Sequence, residues 1–119
     1  MVTVNHSIDR IVLDGNRSWV VTWASMANGD TGEFVTLPAH ADRSVQLGGT
    51  FSTGGTVVIE GSNDQTNYLV LDDFQGNALS FTTADLESIS QVTERIRPDV
   101  TAGDGSTSIN VYLLLTGAL

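Results

Sequence analysis

The residues able to do chemistry in this chain are few and scattered. Asp72-Asp73 is an adjacent carboxylate pair, but acid/base work on a substrate needs two carboxyls that converge, and neighbours on an extended chain point to opposite faces. A serine nucleophile needs a base within hydrogen-bond reach. The two histidines, His6 and His40, stand isolated in polar stretches. The chain has no G-x-S-x-G string, phosphate-cradling Gly-Lys loop or H-E-x-x-H pair. It also has no cysteine, so thiolate ligands and disulfides are excluded. Hard-cation ligands are present as Asn63, Asp64 and Asn67 in one loop, with Asp99 and Asp104 flanking another. Their spacing matches no calcium loop, and tight turns use the same Asx residues to bond their own backbone. No enzymatic activity, cofactor or metal is therefore expected.

Residues that could hold a partner are easier to name. Arg95 and Arg97 are two of only five cations, and there is no lysine. On one face of a strand they could pair carboxylates of another chain, or acids of this one such as Asp99 or Glu94. Trp19 and Trp23 share one face of an alternating run, SWVVTWA, as core or interface anchors rather than a sugar platform. Ile11, Val12 and Leu13 form an apolar triplet in a mixed leader, residues 1–17, which is either a first strand or an arm that pairs with a neighbour.

The elements that must position these residues are strands. Residues 54–68, GGTVVIEGSNDQTNY, hold a β-branched run bounded by glycines and then a Gly-Ser-Asn-Asp turn, with Tyr68-Leu69-Val70-Leu71 resuming the extended chain. Residues 33–37 form a short strand stopped by Pro38, and the run 43–51, RSVQLGGTF, carries a Gly48-Gly49 bulge or bend. Residues 79–81 are extended. Residues 82–88 allow one short helical turn, with Thr82 and Asp85 at capping-box spacing and Leu86 and Ile89 inward. Pro98 makes residues 95–100 an edge strand, or a bulged one. In the closing strand, 108–116, Ile109, Val111, Leu113 and Leu115 face the core, and Leu114 hints at a second buried surface. About eight short strands at roughly 8–12-residue spacing describe a sandwich or barrel. A single β-domain over residues 18–119 follows, with the leader before it.

Charge narrows the partners. Fourteen carboxylates against five arginines leave a net −9 on 119 residues, which repels phosphate backbones and anionic lipids. No nucleic acid or membrane partner is expected. No stretch nears the roughly 20 apolar residues of a membrane helix, and the first residues lack a secretion-leader layout. Abundant Ser, Thr, Gly and Asn with few charges suit an extracellular or viral β-domain.

In order along residues 28–115, the strings ANGDTG, ADRSVQ, GGTVVIEGSNDQTNY, QGNALSF and RIRPDVTAGDGSTSINVYLL resemble a group of small phage virion proteins encoded near capsid genes. That resemblance implies a jelly-roll-like antiparallel β-sandwich acting as a head-decoration (cement) protein. Such a protein sits on the outer surface of the head, contacts the major capsid protein and forms a dimer or trimer. It implies no particular site residues. The fragment VVIEGSNDQTNYLVL is also similar to the hairpin of discoidin-type carbohydrate-binding domains, with Gln65 and Tyr68 in place of that family's Gly and Trp. This leaves a glycan-binding module, with Tyr68 or Phe74 exposed beside Asn63 and Asp64, as the alternative. A small tail or adaptor component is another.

Overall fold

The computed structural model describes residues 2–11, 17–36 and 42–117. They form eleven strands: β1 (Thr3–Val4), β2 (Ser7–Ile11), β3 (Arg17–Met26), β4 (Thr31–Gly32), β5 (Asp42–Thr50), β6 (Thr56–Ser62), β7 (Leu69–Val70), β8 (Ser80–Phe81), β9 (Asp85–Ser88), β10 (Arg95–Ala102) and β11 (Ser108–Gly117). Among the described residues there is no helix. One sheet runs β1-β4-β10-β6-β7, with β8 also on β6, and the other runs β2-β3-β11-β5-β9. All pairings are antiparallel except β1 with β4.

Strands β7 and β8 lie end to end along the same side of β6, on either side of Ile59, and the segment between them loops out. Taken as one interrupted strand, they complete an eight-strand set in which β3-β11-β5-β9 faces β4-β10-β6-β7/β8. That is jelly-roll order. The fold is the all-β sandwich expected from the alternation, with β1 and β2 added. Those two strands come from the leader and pair inside the chain, β1 on β4 and β2 on β3.

The period-2 runs explain the core. Val21 and Trp23 of β3, Val45 and Leu47 of β5, and Ile109, Val111, Leu113 and Leu115 of β11 are buried on one side. They meet Val57 and Ile59 of β6 and Ile96 and Val100 of β10 from the other sheet. Each such side chain stabilises the fold by about 1.5–3 kcal/mol through burial.

Three local expectations are corrected. Residues 82–88 hold a bend and then strand β9, not a helical turn. The free edge of β5 offers a ladder from Leu47↔Asp85 to Ser44↔Ser88, whereas a lone helical turn must fix several dihedrals for one bond. Leu86 accordingly points out, while Ile89 is buried. Residues 33–36 form no strand beyond an isolated bridge, Val35↔Ile96. Pro98 lies in an interior strand without a bulge, because Ile96 and Val100 send their N–H groups to Val35 and Asp30. The proline's missing donor therefore faces the gap between those two, and the register break comes later, between Val100 and Ala102. In the turn that follows β6, Ser62 and Asp64 accept backbone N–H groups and Gln65 takes the left-handed conformation, at φ 69°.

The β9 edge is guarded. Strand β9 turns Asp85 and Glu87 toward the same side as the core residues Leu47 and Val45 that they oppose. Inward-pointing charges on a short edge strand disfavour pairing with another chain.

Candidate functional site

The chemistry-bearing side chains gather mainly on the outer face of the β4-β10-β6 sheet. In β10, Arg95, Arg97 and Asp99 alternate outward while Ile96, Pro98 and Val100 are buried. The Arg97 Nε donates to Glu60 Oε1 at 2.6 Å, across the register pair Arg97↔Glu60. The same guanidinium lies 3.6 Å over the Tyr68 ring. The Arg95 guanidinium lies 3.8 Å over the Phe34 ring, its Nη1 donates to the Gln65 carbonyl at 3.4 Å, and its Nε stands 3.7 Å from Glu94. Asp99 accepts from the Thr31 hydroxyl at 3.2 Å. Both arginines are thus held by acids and aromatic faces of their own chain, as charge-assisted and cation–π contacts.

The other named residues are dispersed. Trp23 is buried; its indole N–H donates to the Glu33 carbonyl at 2.9 Å, and His6 meets its ring edge-on at 5.7 Å. Trp19 is half-buried against the core. Ile11 ends β2 opposite Ser18, and Val12 and Leu13 lie outside the described residues.

The Asx residues are engaged in turns. Asp64 accepts from the Ser62 hydroxyl, the Thr66 and Asn67 backbone N–H groups and the Asn67 amide. Those donors hold its carboxyl far below the usual range, led by the Asn67 and Thr66 N–H groups. Asp104 is lowered in the same way by the Ser106 N–H and then the Ser52 hydroxyl, which tie the 51–53 turn to the 103–107 loop. Asp72 and Asp73 do not converge: Asp73 is buried and accepts from the Gln75 and Asn77 N–H groups at 2.9 Å each, while Asp72 contacts Gln91.

An open cleft of about 510 Å³ lies beside Asn63, Asp64 and Asn67. Its walls are aliphatic, Leu69, Val70 and Val92, with no aromatic ring among its lining residues. Tyr68 faces Arg97 instead, and Phe74 stands 71% exposed on the Asp73-clamped loop, at a different cleft. The aromatic cluster that the glycan alternative calls for is not assembled at Asn63 and Asp64.

A second surface is the outer face of the β3-β11-β5 sheet. The register aligns Val20, Leu114 and Ser44 in one row and Thr22, Tyr112, Gln46 and Leu86 in the next. Two shallow grooves of about 470 and 290 Å³ run over it and share Ser44 and Leu114, the smaller reaching Phe74. The available signal was the apolar residues on both faces of the two tryptophan- and leucine-bearing strands.

No family model and no curated protein sequence matches the chain. Among solved structures it is similar to the SPBc2 prophage-derived protein YomS, with 92% of this chain on 100% of that one, TM-score 0.66 and 9% identity. At that identity the likeness is one of fold. A crystal structure of Fe(II)-HppE with the alternative substrate (S)-1-HPP aligns at TM-score 0.37 and 16% identity over 55% of its own length, too loosely to bear on this chain.

Proposed function

We propose that this chain is a non-catalytic structural protein of a bacteriophage particle. More narrowly, it is a head-decoration protein that sits on the outer surface of the head and bridges adjacent subunits of the major capsid protein. The observation that carries this reading is whole-length: a jelly roll that superposes on all of a prophage-derived protein has strings along residues 28–115 that resemble small phage virion proteins. The polar side chains add support, since Asp64, Asp73, Asp104 and Glu60 all spend their oxygens on loops and strands of the chain itself. A net charge of −9 suits a surface turned away from packaged DNA. The role is mechanical: small contact energies repeated around a shell add by multivalency.

Cryo-electron microscopy of purified virions tests this. Icosahedrally ordered density for this sandwich between capsid subunits is the expected result. An undecorated head, with the chain found in the tail or absent from the particle, overturns the decoration role.

A further inference from the structure

We infer that the outer face of the β3-β11-β5 sheet is where two copies of this chain join. Its central strands are neutral in a strongly acidic protein. The outward residues of β3, β11 and β5 are Val, Leu, Tyr, Thr, Ser, Gln, Asn, Ala and Gly, with one carboxylate, Asp42, at one end; the flanking β2 adds Asp9 opposite Val20. The chain carries fourteen carboxylates in all, so a typical patch of this surface would repel its own copy. A basic partner would be drawn to those acidic patches and gain nothing on this one. A face with so little charge is where copies bearing −9 each can touch.

The apolar groups on it are placed as anchors. Leu86 is 62% and Tyr112 37% exposed, Val20 and Leu114 lie half-buried in the next row, and Phe74 stands at the margin. The loop bearing Phe74 is closed by Asp73, whose own N–H donates to the Asn77 carbonyl at 2.8 Å while its carboxylate accepts two backbone N–H groups. A pre-ordered aromatic costs little entropy to bury. Five strands at about 4.8 Å spacing and outward rows about 22 Å long give roughly 500 Å² per copy, or about 1,000 Å² in all. That is the lower limit for a specific interface, so the dimer is a weak, reversible one. The β9 edge of this sheet is guarded by Asp85 and Glu87, which disfavours edge pairing there. The inference stands on the isolated chain and does not depend on the virion role.

Analytical ultracentrifugation of the full chain, from about 1 to 200 μM and at about 50 and 500 mM NaCl, tests it. The expected result is a monomer–dimer equilibrium that tightens with salt, because the contact is neutral and the copies repel. The double substitution Leu86→Asp/Phe74→Asp, at two exposed positions, should weaken dimerisation by at least about 100-fold, with an unchanged far-ultraviolet circular dichroism spectrum. Leu69→Asp, equally exposed on the other sheet, should leave it unchanged. A wild type that stays monomeric to 200 μM at high salt overturns the inference, as does an oligomer that Leu86→Asp/Phe74→Asp leaves intact or that Leu69→Asp disrupts.

Discussion

Replacing Arg97 with methionine should expose how the outer arginine face is held together. The Glu60 side chain is only 10% exposed and Arg97 is its only polar partner among the described residues, at 2.6 Å, while Arg97 keeps 28% exposure. Removing the cation leaves a nearly buried carboxylate without a donor. Breaking a buried pair from one side costs about 3–5 kcal/mol, and water reaching in beside the arginine site argues for the lower end, about 3 kcal/mol. Methionine keeps the unbranched stem on Tyr68, so little packing is lost. Glu60→Gln should cost about 1.5 kcal/mol, since an amide still fills the site and can use a neutral hydrogen bond. The double variant should lose about 2 kcal/mol rather than the sum, a coupling of about 2.5 kcal/mol. At about 2.1 cal/mol/K per residue, Arg97→Met alone should lower Tm by about 12 °C. Urea denaturation of the four proteins measures the cycle. Losses that add to within about 0.5 kcal/mol would refute the reasoning, because Glu60 would then be satisfied by water.

Other consequences can be checked separately. Gly32→Ala would place a Cβ 2.6 Å from Pro98 Cδ and 2.8 Å from Trp23 Cδ1. Both rings are rigid, so a loss of about 2–3 kcal/mol is expected in urea, and an unchanged midpoint would mean β4 shifts freely. Trp23→Phe removes the indole bond to Glu33 and leaves a void, for a loss of about 2–3 kcal/mol. Its remaining fluorescence, from half-buried Trp19, should be more open to acrylamide than that of Trp19→Phe; equal quenching would contradict the burial of Trp23. Asp64 has a folded-state pKa below its unfolded value, so its stabilisation is present above about pH 4 and is lost as pH falls below that. Asp64→Asn should therefore be less stable than the parent at pH 7, with a gap that narrows at about pH 3; a gap constant with pH would rule the mechanism out.

The parts of the fold legible in the sequence are those set by residues close together in the chain. The alternations Trp19–Val21–Trp23 and Ile109–Val111–Leu113–Leu115 placed two central strands and their buried faces. The Gly and Asx clusters placed the turns. What escaped was decided by partners far along the chain. Residues 85–88 became a strand because β5 had a free edge, and Pro98 was tolerated inside a sheet because of where Val35 and Asp30 accept. Arg95 and Arg97 stood out as rare cations. Their stacking on Phe34 and Tyr68 and the grip of Glu60 depend on segments arriving from 29 to 61 residues away, which no local pattern encodes. The neutral face was half visible, since Leu114 signalled a second apolar side but the rows joining it to Val20, Tyr112 and Leu86 needed the register.

Strand β11 lies at the middle of its sheet, between β3 and β5, yet ten of the eleven strands precede it in the chain. During synthesis, β3 and β5 must wait on the ribosome with a strand-wide slot between them. The sandwich can close only after residues 108–117 emerge. Folding is therefore a late event dominated by pairings between distant segments, which places it on the millisecond-to-second scale of β-topologies. A polypeptide interrupted before β11 would present an open slot flanked by apolar strands, a ready substrate for chaperones or proteases. Only chains synthesised through β11 would then escape that fate.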